Sequence, residues 1–83
     1  MEKVLIQLQV PAIHETYDMF IPRNMLAYEV LGLIKKVINH MTKGRYEADE
    51  SGILCFADTG SIVNINLSVA ELGIENGSKL MLI

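Results

Sequence analysis

Apolar and polar residues alternate with a period of two over residues 4–10, VLIQLQV. Val4, Ile6, Leu8 and Val10 share one face, and Leu5, Gln7 and Gln9 share the other, the signature of a half-buried strand. Pro11 and Ala12 interrupt it, because proline cannot donate to a ladder. The alternation resumes over residues 16–21, with Tyr17, Met19 and Ile21 set against Thr16, Asp18 and Phe20. Two such strands with a short link predict a hairpin. After Pro22 the period changes. At roughly 100° per residue, Leu26, Val30, Leu33, Ile34, Val37 and Met41 fall on one side of a helix over residues 26–41. Glu29, Lys35, Lys36, Asn39 and His40 fall on the other side, with Tyr28 and Leu31 at the edges. Asn24 is the expected N-cap and Gly44 the expected C′ stop. A helix with so wide an apolar face is not stable alone and needs a cover.

The remaining segments supply that cover. Residues 42–52, TKGRYEADESG, read as a polar surface connection whose Glu47, Asp49 and Glu50 are solvated. Residues 53–57 read as a third strand, Asp58-Thr59-Gly60 as a turn, and residues 61–65 as a short edge strand. Residues 69–74 read as one helical turn stopped at Gly73. Asn76-Gly77 is a turn dipeptide that takes positive φ at little cost. Residues 79–83, KLMLI, are the last strand. A hairpin, a crossing helix and later strands on one face make an α+β roll: a β-grasp with a mixed sheet of four to five strands wrapped on one helix. The first and last strands are the most apolar segments and are expected side by side in the middle. Val30 and Val37 are expected to pack against Ile6, Leu8 and Leu80.

The chain has 83 residues, which predicts a single domain spanning 1–83. A domain this small buries only about 60% of its unfolded surface and needs a high apolar fraction; at 51% hydrophobic and 20% charged it has one. No apolar run approaches the roughly 20 residues of a membrane span, and no signal peptide opens the sequence. A lone cysteine excludes an internal disulfide framework and points to a reducing compartment. The expectation is a cytoplasmic protein without membrane insertion. The net charge is −3, and the seven basic residues are scattered without interleaved aromatics, which argues against nucleic acid as a partner.

The residues that could carry chemistry read as structural. His14 lies in the hairpin link and His40 late in the helix, with no Cys/His spacing to complete a metal site. Cys55, between Leu54 and Phe56, reads as a strand residue and not as a nucleophile with an adjacent base. Gly44, Gly52 and Gly60 are isolated turn residues, not a phosphate loop. Glu47, Asp49 and Glu50 lack the ligand alternation and central glycine of a calcium loop. Lys35-Lys36 is a weak anion-binding candidate. No cofactor and no enzymatic activity are expected.

The closing stretch VAELGIENGSKLMLI resembles the end of ubiquitin-like domains: a one-turn helix, an isoleucine, a polar turn and an alternating strand. Residues 71–80, ELGIENGSKL, are most similar to the small bacterial ubiquitin-like proteins of the YukD and EsaB type, which accompany type VII (ESX-like) secretion systems in Gram-positive bacteria. The opening strand, MFIPRNM at residues 19–25 and the total length agree. The resemblance implies a ubiquitin-like β-grasp that acts by non-covalent protein–protein interaction with components of a secretion machinery. Ubiquitin-like modifiers and sulfur carriers, the alternative class, work with an adenylating enzyme through a Gly-Gly tail, and this sequence stops at Ile83 without one, which disfavours that role. Ubiquitin also presents an apolar patch on the sheet face away from the helix. The resemblance carries it onto Ile13, Cys55, Met81 and Ile83, and the alternation of the first strand adds Leu5, with Lys3, Gln7 and Lys79 around it. The competing explanation is that these are ordinary scattered surface hydrophobes, and a homodimer covering the face is a further alternative.

Overall fold

A computed structural model describes residues 2–44 and 52–83. The period-two segments form β1 (Lys3–Val10) and β2 (Glu15–Pro22), joined by a 3₁₀ turn at Pro11–Ile13. They pair antiparallel in unbroken register from Lys3↔Pro22 to Val10↔Glu15. His14 closes the link in the left-handed region, at φ 54°. The helix α1 (Ala27–Met41) crosses back, followed by β3 (Leu54–Phe56) and β4 (Lys79–Leu82). The sheet has four strands in the order β2-β1-β4-β3. β1 and β4 lie parallel at its centre, as their apolar content predicts. Residues 61–65 form no strand; Ile62 makes one isolated bridge to Cys55.

Each strand turns its alternate residues to the helix. Val4, Ile6, Leu8, Val10, Ile21, Leu54, Leu80 and Leu82 form the sheet side of the core, and Val63, Val69 and Ile74 close its end. The helix contributes Ala27, Val30, Ile34 and Ile38. This differs from the expected face. Leu33 is 40% exposed and Met41 54% exposed, Val37 is only half-buried, and Ala27 and Ile38 are buried instead. The buried stripe is rotated by roughly 60° about the helix axis, at 100° per residue.

The cause lies in residues 65–70, which cross the helix N-terminus. Ala27 N–H donates to Leu67 O at 2.8 Å and Tyr28 N–H to Ile65 O at 3.1 Å, so two orphan donors of the first turn are met by backbone. Val69 and Ala70 N–H donate back to Met25 and Arg23. The small Ala27 side chain suits this close approach. The residue before the helix is therefore Leu26, not Asn24, and its N–H donates to the Glu29 carboxylate at 3.3 Å.

The other end also differs by one residue. Lys43, at φ 55°, takes the left-handed C′ position, and Gly44 follows it. Gly44 N–H donates to Asn39 O and Lys43 N–H to His40 O, the paired bonds of a Schellman stop. Gly52 and the Thr42–Gly44 end of the predicted connection are described; Glu47, Asp49 and Glu50 lie outside the described residues.

Candidate interaction surface

The sheet face away from the helix is built in rows, because residues in register on neighbouring strands project the same way. One row runs Gln9, Met81, Cys55, Ile62. The next is Ile83 and Ile53, which exchange two backbone hydrogen bonds at 2.7 and 2.9 Å. These rows form one apolar area. Ile62 is 68% exposed, Ile53 and Ile83 are also exposed, and Met81 is half-buried. Cys55 is 2% exposed and so lies beneath this surface, with no atom of consequence presented to solvent. At the β3 edge Ile53 and Ile62 border a shallow hollow of about 320 Å³ that also touches Leu31 and Ile65.

A polar row, Asp18–Gln7–Lys79, bounds the area on one side. Beyond it Leu5 pairs with Phe20, which is 64% exposed. Leu5 stands four residues from Gln9 along β1, about 13 Å at strand rise, so it does not join Met81 in one patch. Ile13 does not join it either: it is half-buried and packs against the core. Of the five residues expected on this face, the structure thus brings Met81 and Ile83 together over a buried Cys55 and sets Leu5 and Ile13 apart. Ile53, Ile62 and Phe20 were not anticipated as members. Phe20 and Ile53 were legible in principle, since each falls on the outward phase of its own strand; Ile62 depends on a single bridge.

The other candidates are placed by the same geometry. His14 and His40 are both exposed, on the hairpin link and in the last turn of the helix. Lys35 is half-buried rather than on an open polar face. Its stem lies so close to Gly52 that a Cβ there would meet Lys35 Cε at 2.7 Å, whereas Lys36 is exposed. Ser68 and Glu71 form a capping box around the turn expected at residues 69–74. Ser68 N–H donates to the Glu71 carboxylate at 3.0 Å, and Glu71 N–H donates to the Ser68 hydroxyl at 3.1 Å. The bonds from the Ser68 backbone and side chain hold the Glu71 carboxyl below the usual carboxylate range. An exposed ion pair joins Arg23 to Glu2 at 2.7 Å; pairs of this kind contribute at most about 1 kcal/mol.

This arrangement is that of a ubiquitin-like β-grasp. No family model matches the chain, and no curated protein matches it. Solved structures do. The ubiquitin-like domain of EccD5 from Mycobacterium xenopi superposes with a TM-score of 0.83 at 17% identity, over 100% of this chain and 94% of that one. The ubiquitin-like domain of the Mycobacterium tuberculosis type VII secretion system protein EccD1 gives 0.77 at 13% identity, over 100% and 99%. A chain of the MycP5-free ESX-5 inner membrane complex gives 0.71 at 15% identity; this chain is covered completely and spans 21% of that one. At these identities the likeness establishes the fold.

Proposed function

We propose that this chain is a non-enzymatic ubiquitin-like accessory or regulatory protein of a bacterial type VII secretion system, of the YukD and EsaB type. It acts on the cytoplasmic side, by non-covalent docking to a protein of the secretion machinery. The observation that carries this reading is the end-to-end match to ubiquitin-like domains of type VII secretion proteins. The occurrence of the fold within an ESX-5 inner membrane complex supports a partner of that kind. Among the described residues no helix is long and apolar enough to cross a membrane, in keeping with attachment through a partner. The docking surface is the area around Met81, Ile83, Ile53 and Ile62: an apolar centre with the polar Asp18–Gln7–Lys79 row on its rim, the composition interfaces favour.

The test is affinity capture from the organism that encodes the chain, with the retained proteins identified by mass spectrometry. Wild-type protein is expected to retain a membrane component of the secretion system, and Ile62→Asp, at a side chain 68% exposed and with folding checked by circular dichroism, is expected to release it. Retention of an adenylating enzyme in its place would overturn the reading. Equal retention of a secretion component by Ile62→Asp would move the docking site elsewhere. Sedimentation of the free protein tests the homodimer on the same face.

A further inference from the structure

The outer edge of β2 is an open hydrogen-bonding row. Arg23 N–H donates to Glu2 O at 2.9 Å, which makes Glu2 and Arg23 a bonded rung. In an antiparallel pair bonded rungs recur every second residue. With the register of the hairpin, Ile21, Met19, Tyr17 and Glu15 therefore direct their backbone groups into β1. β1 agrees from its other side: Gln7 N–H donates to Ser78 O, and Leu5 O accepts from Gly77 N–H, so the odd-numbered residues of β1 face β4. By elimination the N–H and C=O groups of Thr16, Asp18 and Phe20 point outward, away from the sheet. Among the described residues these six groups meet no partner.

Native sheets usually blunt such an edge with a bulge, a central proline or charged side chains, lysine above all. β2 has no bulge, no central proline and no lysine along its eight residues, and Pro22 stands only at its end. What it carries is negative charge, in Glu15 and Asp18, with no lysine or arginine in the strand. That charge selects the occupant. Pairing of two β2 strands would collect four carboxylates in one ribbon with no cation, and like charges across a ladder are destabilising. A basic strand is favoured by the same term. Phe20 and Leu5 lie beside Asp18 on the outer face and give that strand an apolar anchor.

We propose that β2 is a strand-addition site for an extended basic segment of a partner protein. The segment adds antiparallel to Thr16, Asp18 and Phe20. Backbone bonds supply its affinity, and the alternate side chains supply specificity. The matching pattern is an apolar residue opposite Phe20, a lysine or arginine opposite Asp18, and a β-branched residue opposite Thr16. This inference does not rest on the secretion reading, since it uses only the hairpin register and the charge of one strand.

The test is an NMR titration of the ¹⁵N-labelled chain with two capped peptides, Thr-Leu-Thr-Lys-Thr-Val-Thr and its glutamate-for-lysine counterpart. The lysine peptide is expected to shift the amide signals of Thr16, Asp18 and Phe20 saturably and to slow their hydrogen exchange. It should bind about tenfold more tightly than the glutamate peptide. Asp18→Lys, which leaves every backbone group in place, should reverse that order. Thr16→Pro deletes an outward donor without touching the bonds to β1 and should weaken both peptides. Absence of edge shifts at millimolar peptide, shifts confined to Met81, Ile83 and Ile53, or an unchanged order in Asp18→Lys would each overturn the proposal.

Discussion

Cys55 lies beside Met81, the two being register partners on β3 and β4, and the thiol is buried although it stands outside the main core cluster. Its burial comes from neighbours on the outer face: Met81 on one side and the bridged Ile62 on the other. Native protein is therefore expected to react slowly with a thiol reagent such as Ellman's and quickly once unfolded in guanidinium. Cys55→Ser should destabilise by about 1–3 kcal/mol, since it leaves a hydroxyl in an apolar site. Rapid labelling under native conditions would mean that this face opens readily.

Ile38 and Leu33 separate the observed orientation of the helix from the expected one. Ile38 is fully buried, so Ile38→Ala should cost about 2–5 kcal/mol in a urea titration. Leu33→Ala should cost under about 1 kcal/mol, and Lys36→Ala under about 0.5 kcal/mol. The reverse order for Ile38 and Leu33 would restore the helix face read from periodicity.

Glu71 links stability to pH. Its folded pKa lies below the unfolded value because the carboxylate accepts from Ser68. A depressed carboxyl contributes stability that is present above the unfolded pKa and is lost as pH falls through the folded one. Wild type should therefore melt higher than Glu71→Gln at neutral pH. The gap between the two melting temperatures should close as the pH drops through and below the ordinary carboxylate range. A gap independent of pH would locate the effect in packing instead.

Lys43 occupies a backbone conformation that costs a β-carbon roughly 1 kcal/mol. Lys43→Gly relieves that strain at the C′ position of the helix, where glycine is the preferred residue. The expected result is a gain of up to about 1 kcal/mol, read as a melting temperature higher by about 4–8 °C for a domain of this size. Gly73→Ala, at φ 74°, should move the melting temperature the other way.

The hairpin, the existence of the helix, the turn at residues 69–74 and the central pairing of the first and last strands were all legible in the residues. Each is encoded locally. A period of two assigns Ile6 and Gln7 to opposite faces whatever surrounds them, and the most apolar strands belong where both edges are paired. The composition of the outer face was legible only in part. Alternation put Leu5 and Met81 on it, but distances along a strand appear only when register is known, and the register of β1 against β4 separates Leu5 from Met81.

Tertiary structure alone decided three things. It chose which part of a wide apolar band the helix buries: Leu33 and Ile38 are equally apolar, and the crossing of residues 65–70 at Ala27 sets the rotation. It turned Cys55 from a surface residue into a buried one, because the bridge from Ile62 lies outside any periodic segment. It also left the Thr16, Asp18 and Phe20 backbone groups facing outward, since hydrogen-bond phase follows from which neighbour a strand takes. In each case the physical reason is the same. Periodicity orders side chains within an element, while rotation, burial and unpaired edges are properties of the contact between elements distant in the chain.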